Sequence, residues 1–265
     1  SGRDCGNDRR KREKMEERLN KWLSRMGVCS RREADRLIEA GKVLVDNRPA
    51  SMGQKVTPGQ KVVCNGRMVR VDKSRKPRPV LLAVNKPRGI VCTTTDKDRA
   101  ENIVDFLGYP ERIYPVGRLD KDSEGLLLMT NQGDLVNKIM RSGNAHEKEY
   151  IVTIDKPVTE HFLEQMAGGI RLPELDQVTR PCKVKKVERN TFSIILTQGL
   201  NRQIRRMCEV CGCQVRRLVR VRIMNIRLGN LRTGAYRQIT KEEYEELTGL
   251  LKDSSSLSLK ERKNR

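Results

Sequence analysis

Residues 117–131 read GRLDKDSEGLLLMTN, and this stretch decides how the larger part of the chain folds. Three acids stand at alternate positions, Asp120, Asp122 and Glu124, and Gly125 follows them. The apolar run LLLM then predicts a buried strand, and the preceding YPVGRL also has the pattern of a strand. An acidic turn therefore leads directly into the core of a sheet.

The spacing of the acids resembles the first half of a calcium-binding loop. Such a loop needs a bidentate acid at its twelfth position, and that position is Asn131 here. The flanking segments have strand patterns instead of helical ones, and Lys121 would repel a cation. We therefore do not expect a calcium site.

A solvated turn accounts for Asp122 and Glu124 better than for Asp120. Asp120 ends the segment GRL and lies between Arg118 and Lys121, whose charges favour an ionised carboxylate. An ionised carboxylate suits nucleophilic or base chemistry, whereas general acid catalysis needs a protonated one. Asp120 is therefore the acid for which we expect a chemical role.

The composition points to a polyanionic partner. The 265 residues carry a net charge of +21 with an isoelectric point near 10.0, which favours nucleic acid through the release of counterions. No apolar run is long enough for a transmembrane helix, and the first 17 residues contain no apolar signal core. We expect a cytoplasmic protein that binds no membrane.

Neither a metal nor an organic cofactor is predicted. The eight cysteines are expected to be free thiols, and zinc at Cys208-x-x-Cys211-x-Cys213 is disfavoured because no second cysteine or histidine pair lies nearby. The chain contains no phosphate-binding loop, no dinucleotide fingerprint and no zinc-protease or serine-hydrolase motif. Any catalysis must therefore use carboxylate, tyrosine and arginine side chains.

The patterns divide the chain into two folded parts. We expect a disordered basic arm at 1–17, a small α/β RNA-binding domain at 18–70, a linker at 71–79, an α+β mixed-sheet domain at 80–251 and a disordered tail at 252–265. Arg31 and Arg32 occupy the first turn of a predicted helix, where cations oppose the helix dipole. That placement makes sense if the end of the helix faces phosphates.

Several basic and aromatic residues of the larger domain are candidates for function. The segment GLNRQIRRM places Arg202 and Arg205 on one face of a predicted helix, a face that could bind phosphate, pair with a carboxylate or do both. Tyr150 lies in the predicted strand KEYIVTI, where its phenol could form hydrogen bonds or stack.

These motifs together resemble the bacterial ribosomal RNA pseudouridine synthases of the RsuA group. The resemblance rests on GRLDKDSEGLLLMTN, KEYIVTI, QGLNRQIRRMCE, NKPRGIVCTT and NIVDFLG, and it is greatest for the RluF branch, which acts on large-subunit ribosomal RNA. Residues 18–70 resemble the small RNA-binding domain named after ribosomal protein S4. The resemblance implies isomerisation of a flipped-out uridine to pseudouridine without a cofactor.

The resemblance also assigns roles to residues. It places the catalytic aspartate at Asp120, the pocket tyrosine at Tyr150 and the arginine that pairs with the aspartate at Arg205. Arg118 would help to fill the space left by the flipped base, and Leu218 would form a wall of the pocket. Further predicted contacts to substrate and RNA are Arg202, Arg206, Lys21, Arg31, Arg32, Arg220 and Arg222.

Three questions stay open from the sequence. Asp120 could attack the uracil ring, attack the sugar or abstract a sugar proton. The expected partner is a stem-loop region of 23S ribosomal RNA bound by a monomer, but a small-subunit or transfer RNA target is an alternative. A non-catalytic RNA-binding or ribosome-assembly protein, for which residues 18–70 would suffice, is the other class of function.

Overall fold

The computed structural model describes residues 16–69, 78–93 and 100–254. These residues form two compact units, and the division between the units lies at Arg78 and Pro79. Most of the predicted basic arm, linker and tail falls on residues 1–15, 70–77 and 255–265, which lie outside the described residues. The two units are described separately below.

The first unit pairs two helices with a four-stranded sheet in the order β3-β2-β5-β6. Its elements are β1 (Glu17–Arg18), α1 (Leu19–Arg25), α2 (Arg31–Glu39), β2 (Val43–Val45), β3 (Arg48–Pro49), β4 (Lys55–Val56), β5 (Val62–Cys64) and β6 (Arg67–Val69). Asp46 and Asn47, both with positive φ, form the tight turn between β2 and β3. Trp22, Leu23 and Ile38 help to form the core.

The second unit contains the remaining described elements. They are β7 (Leu81–Lys86), α3 (Ile103–Leu107), β8 (Tyr114–Pro115), β9 (Glu124–Thr130), α4 (Gly133–Met140), β10 (Lys148–Ile154), α5 (Glu160–Gly168), β11 (Arg171–Leu172), β12 (Gln177–Val178), β13 (Lys183–Glu188), β14 (Thr191–Leu196), α6 (Gln203–Val210), β15 (Val215–Ile223), β16 (Ile226–Arg227), β17 (Tyr236–Gln238) and α7 (Lys241–Leu250).

The main sheet of this unit has the order β13-β14-β10-β15-β9-β7-β17. Its strands pair antiparallel except for β9 and β15, which run parallel. The predicted combination of a small α/β unit with a mixed-sheet α+β domain is therefore confirmed. In the part of the chain that the structure describes, no helix has the length and hydropathy needed to cross a bilayer.

Strand β9 explains why LLLM is continuously apolar. Leu126 and Leu128 pack on one face of the sheet in a cluster with residues of α4 and α7, whereas Leu127 and Met129 pack on the other face in a cluster with Ile103 of α3. A strand covered on both faces buries every side chain, so its sequence shows no alternation.

Candidate active site

A cavity of about 530 Å³ opens beside the start of β9. The segments that line it include the turn before β9, the end of α4, the strand β10, the loop from β14 to α6, the start of α6 and the strand β15. The residues predicted for function that line this cavity are Arg118, Asp120, Tyr150, Arg202, Arg205, Leu218 and Arg220. Side chains separated by up to a hundred positions in sequence thus meet at one place.

The turn that carries Asp120 is anchored from below by a buried lysine. Lys86 is fully buried, and its Nζ donates hydrogen bonds to the carbonyl oxygens of Pro87 (2.8 Å), Ile90 (2.8 Å) and Lys121 (3.4 Å). Within the turn, the Ser123 amide donates to the Asp120 carbonyl oxygen at 3.0 Å. Burial lowers the pKa of Lys86, and its three carbonyl partners compensate the desolvated ammonium group.

Gly125 allows β9 and β15 to approach each other at this turn. Its φ is +104°, and a Cβ built on it would lie 2.3 Å from the carbonyl oxygen of Arg220. Gly125 pairs with Arg220 in the parallel register, so only a residue without a side chain fits between the two backbones. The glycine of the opening motif therefore has a structural role next to the candidate site.

The arginines of α6 bind the acids of the turn in an arrangement that differs from the expected one. Arg202 donates to both carboxylate oxygens of Asp122 (3.1 and 2.9 Å) and lies 3.5 Å from Asp120 Oδ2. Arg205 is held by the Asp122 carbonyl oxygen (3.1 Å), Ser123 Oγ (3.2 Å) and Asp122 Oδ2 (3.5 Å). The predicted pairing of Arg205 with Asp120 is corrected: Arg202, at the N-cap of α6, is the arginine that contacts Asp120.

Asp120 and Asp122 thus share Arg202, whereas Glu124 has a separate partner. The hydrogen bonds from Arg202 lower the pKa of Asp122, so that this carboxylate is firmly ionised. Glu124 pairs with Arg217 (3.1 Å) on β15. Across residues 16–69, 78–93 and 100–254, no cluster of three or more His, Cys, Asp or Glu side chains is arranged to hold a metal ion.

Tyr150 stands in the wall of the cavity on β10. Its ring is half-buried against the cluster that contains Val152, Phe192 and Ile194. The register pairs Tyr150 with Arg220 on one side and Ile194 on the other. Leu218 pairs with Val152 two residues further along β10 and is buried beside the same cavity.

Arg220 and Arg222, both predicted to bind RNA, do not lie on an exposed surface where they could meet backbone phosphates, and their role stays a prediction. Both are buried in β15, with exposed fractions of 3% and 9%. A β-bulge between the pairs Glu149–Arg222 and Tyr150–Arg220 directs the two arginines to opposite faces of the sheet. Arg220 faces the cavity, whereas Arg222 pairs with Glu149 (3.4 Å) and Glu147 (3.1 Å).

The position of Arg206 also does not fit its predicted role as a substrate contact. Its guanidinium pairs with Glu174 and donates to the carbonyl and side-chain oxygens of Asn201, and Arg206 does not line the cavity. One position along α6 turns the side chain by about 100°, so Arg205 and Arg206 cannot share a face. In the first unit, Lys21, Arg31 and Arg32 are exposed, as an RNA contact requires, and their role stays a prediction.

Three further basic residues of the cavity were not predicted from the sequence. Arg141, His146 and Lys148 all line it. The signal for Lys148 was present, because it lies two positions before Tyr150 in the same strand and therefore on the same face. His146 bonds Ser254 Oγ through Nε2 (2.6 Å), a contact that no local pattern indicates.

The sequence and the fold match known proteins. Residues 80–210 match the RNA pseudouridylate synthase model, and residues 17–62 match the S4 domain. A solved structure described as a pseudouridylate synthase has a TM-score of 0.64 at 27% identity, covering 87% of this chain and 99% of that one. The chain belongs to the RNA pseudouridine synthase family and is an enzyme of that class.

The most similar sequences narrow this class. The chain is 52% identical over 239 residues to the dual-specificity RNA pseudouridine synthase RluF of Escherichia coli K12, which covers 90% of this chain and 81% of the relative. It is 36% identical over 242 residues to ribosomal large subunit pseudouridine synthase B of Bacillus subtilis, covering 88% and 96%. Within the family it therefore falls in the RsuA group, near RluF.

Proposed function

We propose that the protein isomerises a uridine of large-subunit (23S) ribosomal RNA to pseudouridine, with Asp120 as the catalytic carboxylate. The observation that carries the proposal is the position of Asp120. It stands on a turn anchored by Lys86, contacts Arg202 and borders the same cavity as Tyr150. A carboxylate held at the opening of a cavity can act as a nucleophile or a base on a nucleoside that enters it.

The other residues of the cavity have complementary roles in this proposal. A uridine within a structured RNA is stacked, so the base must leave the stack to reach Asp120. Tyr150 and Leu218 offer it a ring and an apolar wall, and Arg118, exposed beside the cavity, occupies the space that the base leaves. Arg202 and Arg205 fix the turn, so Asp120 keeps its position without moving on binding.

The ribosomal target is supported by the relatives and by the charge of the chain. The relatives are a ribosomal large subunit synthase and an RNA pseudouridine synthase of dual specificity. The net charge of +21 and the exposed cations of the first unit provide contacts to phosphates. The cavity is complete within one chain, and we propose that a monomer acts in the cytoplasm on this RNA.

The test of the catalytic role is Asp120→Asn. We expect tritium release from 5-tritiated uridine in large-subunit ribosomal RNA to fall by roughly 10²–10⁴-fold, with the Kd for the RNA unchanged within about threefold. The matched control is Asp134→Asn, an exposed aspartate of α4 that does not line the cavity. Wild-type tritium release by Asp120→Asn would remove the basis of the proposal.

The target is tested separately by mapping. Pseudouridines are mapped in ribosomal and transfer RNA from cells with and without the protein. We expect the loss of a site in 23S ribosomal RNA. A lost site found only in small-subunit ribosomal RNA or only in transfer RNA would assign the same chemistry to another RNA, and an unchanged map would contradict the proposal.

A further inference from the structure

Two buried cations of the cavity have no acidic partner. Lys148 on β10 and Arg220 on β15 are 9% and 3% exposed, and both line the cavity. Among the described residues, Lys148 Nζ has no hydrogen-bond or ion-pair partner, and it borders the cavity. Arg220 donates through Nε to the carbonyl oxygen of Leu126 (2.7 Å) and weakly through Nη1 to that of Arg118 (3.5 Å), while its Nη2 is buried without a partner.

This arrangement is unfavourable for the protein alone. An unpaired buried charge loses its hydration without gaining an ion pair, and two like charges also repel. Burial lowers the pKa of Lys148 to about 8, and Arg220 contributes to the decrease. An apolar side chain at position 148 would avoid both costs, so the pair indicates a ligand that carries negative charge.

The neighbouring charges are already engaged. Arg202 and Arg205 are bound to Asp122 and to the backbone of the turn, and Arg202 is the cation near Asp120. His146 is bonded to Ser254 Oγ. Arg118 is exposed and Arg141, just after α4, is exposed at the edge of the cavity. Arg205 keeps one buried Nε without a partner, but its two terminal nitrogens are bound to the turn, whereas Lys148 and Arg220 are the buried cations of the cavity lining that have no acidic partner among the described residues.

The proposed reaction brings a suitable anion to this place. The bond between C1′ and N1 breaks, and its electron pair stays on the uracil, whose charge spreads over N1 and the carbonyl oxygens. If Asp120 instead adds to C6 first, the ring again carries negative charge on its oxygen, and the bond between Asp120 and C6 breaks again before the product leaves. The ring then bonds to C1′ through C5, C5 loses its proton and N1 gains one. On every route a uracil oxygen becomes more negative than in the substrate.

We propose that Lys148 and Arg220 bind a carbonyl oxygen of the flipped uracil and stabilise the charge that the ring carries while it is detached. The inference rests on the proposed function. Donors fixed in a water-poor cavity stabilise developing charge strongly because they need no reorganisation. A backbone phosphate is a less suitable ligand for Lys148 and Arg220. Both side chains are deeply buried in the cavity that Asp120 and Tyr150 line, where a base that has left the stack can reach them and the RNA backbone cannot.

The test compares Lys148→Met with Lys148→Arg, and Lys241→Met serves as the matched control. Lys241 is an exposed lysine of α7 far from the cavity lining, so its replacement removes the same charge from the chain. In single-turnover tritium release, we expect Lys148→Met to be about 10²-fold slower with a Kd for RNA within twofold of wild type. Its Tm should rise, because an unpaired buried charge has been removed.

The pH profile adds an independent measurement. The single-turnover rate of the wild type should decrease as the pH rises through about 8, because Lys148 then loses its proton. Lys148→Arg keeps its charge, so its rate should stay within tenfold of wild type and show no decrease there.

The outcomes separate this proposal from the proposed function. A wild-type rate for Lys148→Met, a loss confined to the Kd or a loss that follows a lowered Tm would each overturn the role of the pair while Asp120→Asn stays inactive. If the wild type releases no tritium, or Asp120→Asn releases it normally, the proposed function fails and this proposal fails with it.

Discussion

Gly125→Ala tests whether the close approach of β9 and β15 positions the catalytic turn. The added Cβ would lie 2.3 Å from the Arg220 carbonyl oxygen and 2.8 Å from its amide nitrogen, and both are backbone atoms that no rotamer change can move. A positive φ costs a residue with a side chain about 1–2 kcal/mol, and forced overpacking costs about 1–3 kcal/mol more. We therefore expect a loss of about 2–5 kcal/mol in the free energy of unfolding.

The matched control is Gly212→Ala. Gly212 has a φ of +80° in the same unit, but a Cβ built there meets no atom within 4 Å. This variant should lose only the conformational contribution of about 1–2 kcal/mol, so the difference between the two variants isolates the clash between strands.

The measurement is urea unfolding followed by two signals. Circular dichroism reports on both units, whereas Trp22, the single tryptophan of the chain, reports on the first unit. Gly125→Ala should lower the midpoint of the dichroism transition by roughly 1–2 M urea and leave the fluorescence midpoint of Trp22 in place. A dichroism shift no larger than that of Gly212→Ala would refute the argument that the two backbones require glycine here.

Three further predictions follow from the contacts. Arg202→Met removes the cation that contacts both carboxylates of the turn, and the single-turnover rate should fall about 10²-fold. Replacing Arg31 and Arg32 with Ala should reduce the slope of log K against log salt concentration by about 1.5 for RNA binding. The hydrogen bonds from Arg237 lower the pKa of Glu243 to about 2, so the ionised carboxylate stabilises the folded state at neutral pH. Glu243→Gln should therefore lower the urea midpoint at pH 7. The difference between the variant and the wild type should disappear as the pH falls from 4.5 towards 2.

Each of the three has its own control. Arg206→Met removes a neighbouring arginine of α6 that lies outside the cavity, and an equal loss of rate there would contradict the role of Arg202. An unchanged salt slope would show that the first turn of α2 does not meet phosphates. Glu242→Gln removes an exposed carboxylate next to Glu243 on α7, and the same pH dependence in both variants would contradict the assignment.

Local sequence signals marked out Asp120 and Tyr150, which the structure places at one cavity. Asp120 follows an apolar segment and precedes a buried strand, and Tyr150 lies inside an alternating strand. That both border one cavity depends on the order of the strands, which no local pattern gives, and the resemblance to the RsuA group assigned both residues to one site. The ion-pair partner of each charged residue was harder to predict from the sequence, because it depends on distances of a few ångströms between segments.

The arginines of α6 illustrate that limit. Arg202 and Arg205 share a helical face by spacing, so the sequence predicts that both reach the same region. It does not predict that Arg202 adopts a left-handed backbone at the N-cap, with φ of +48°, from which its guanidinium meets Asp120 and Asp122. The observed partner of Asp120 therefore lies one helical turn before the predicted partner, Arg205, in the same region of the cavity.

The burial of the arginines of β15 was not predicted for a different reason. Their burial also produces the pair of buried cations in the cavity. A regular strand would place Leu218, Arg220 and Arg222 on one face of the sheet. In a strand with a bulge, the sequence pattern does not show which face each side chain takes. The bulge opposite Glu149 and Tyr150 sends Arg222 to two glutamates and leaves Arg220 in the cavity without one. Arg220 and the neighbouring Lys148 are both buried without an acidic partner among the described residues. In our proposal, the negative charge that balances them is carried by the uracil ring of the substrate.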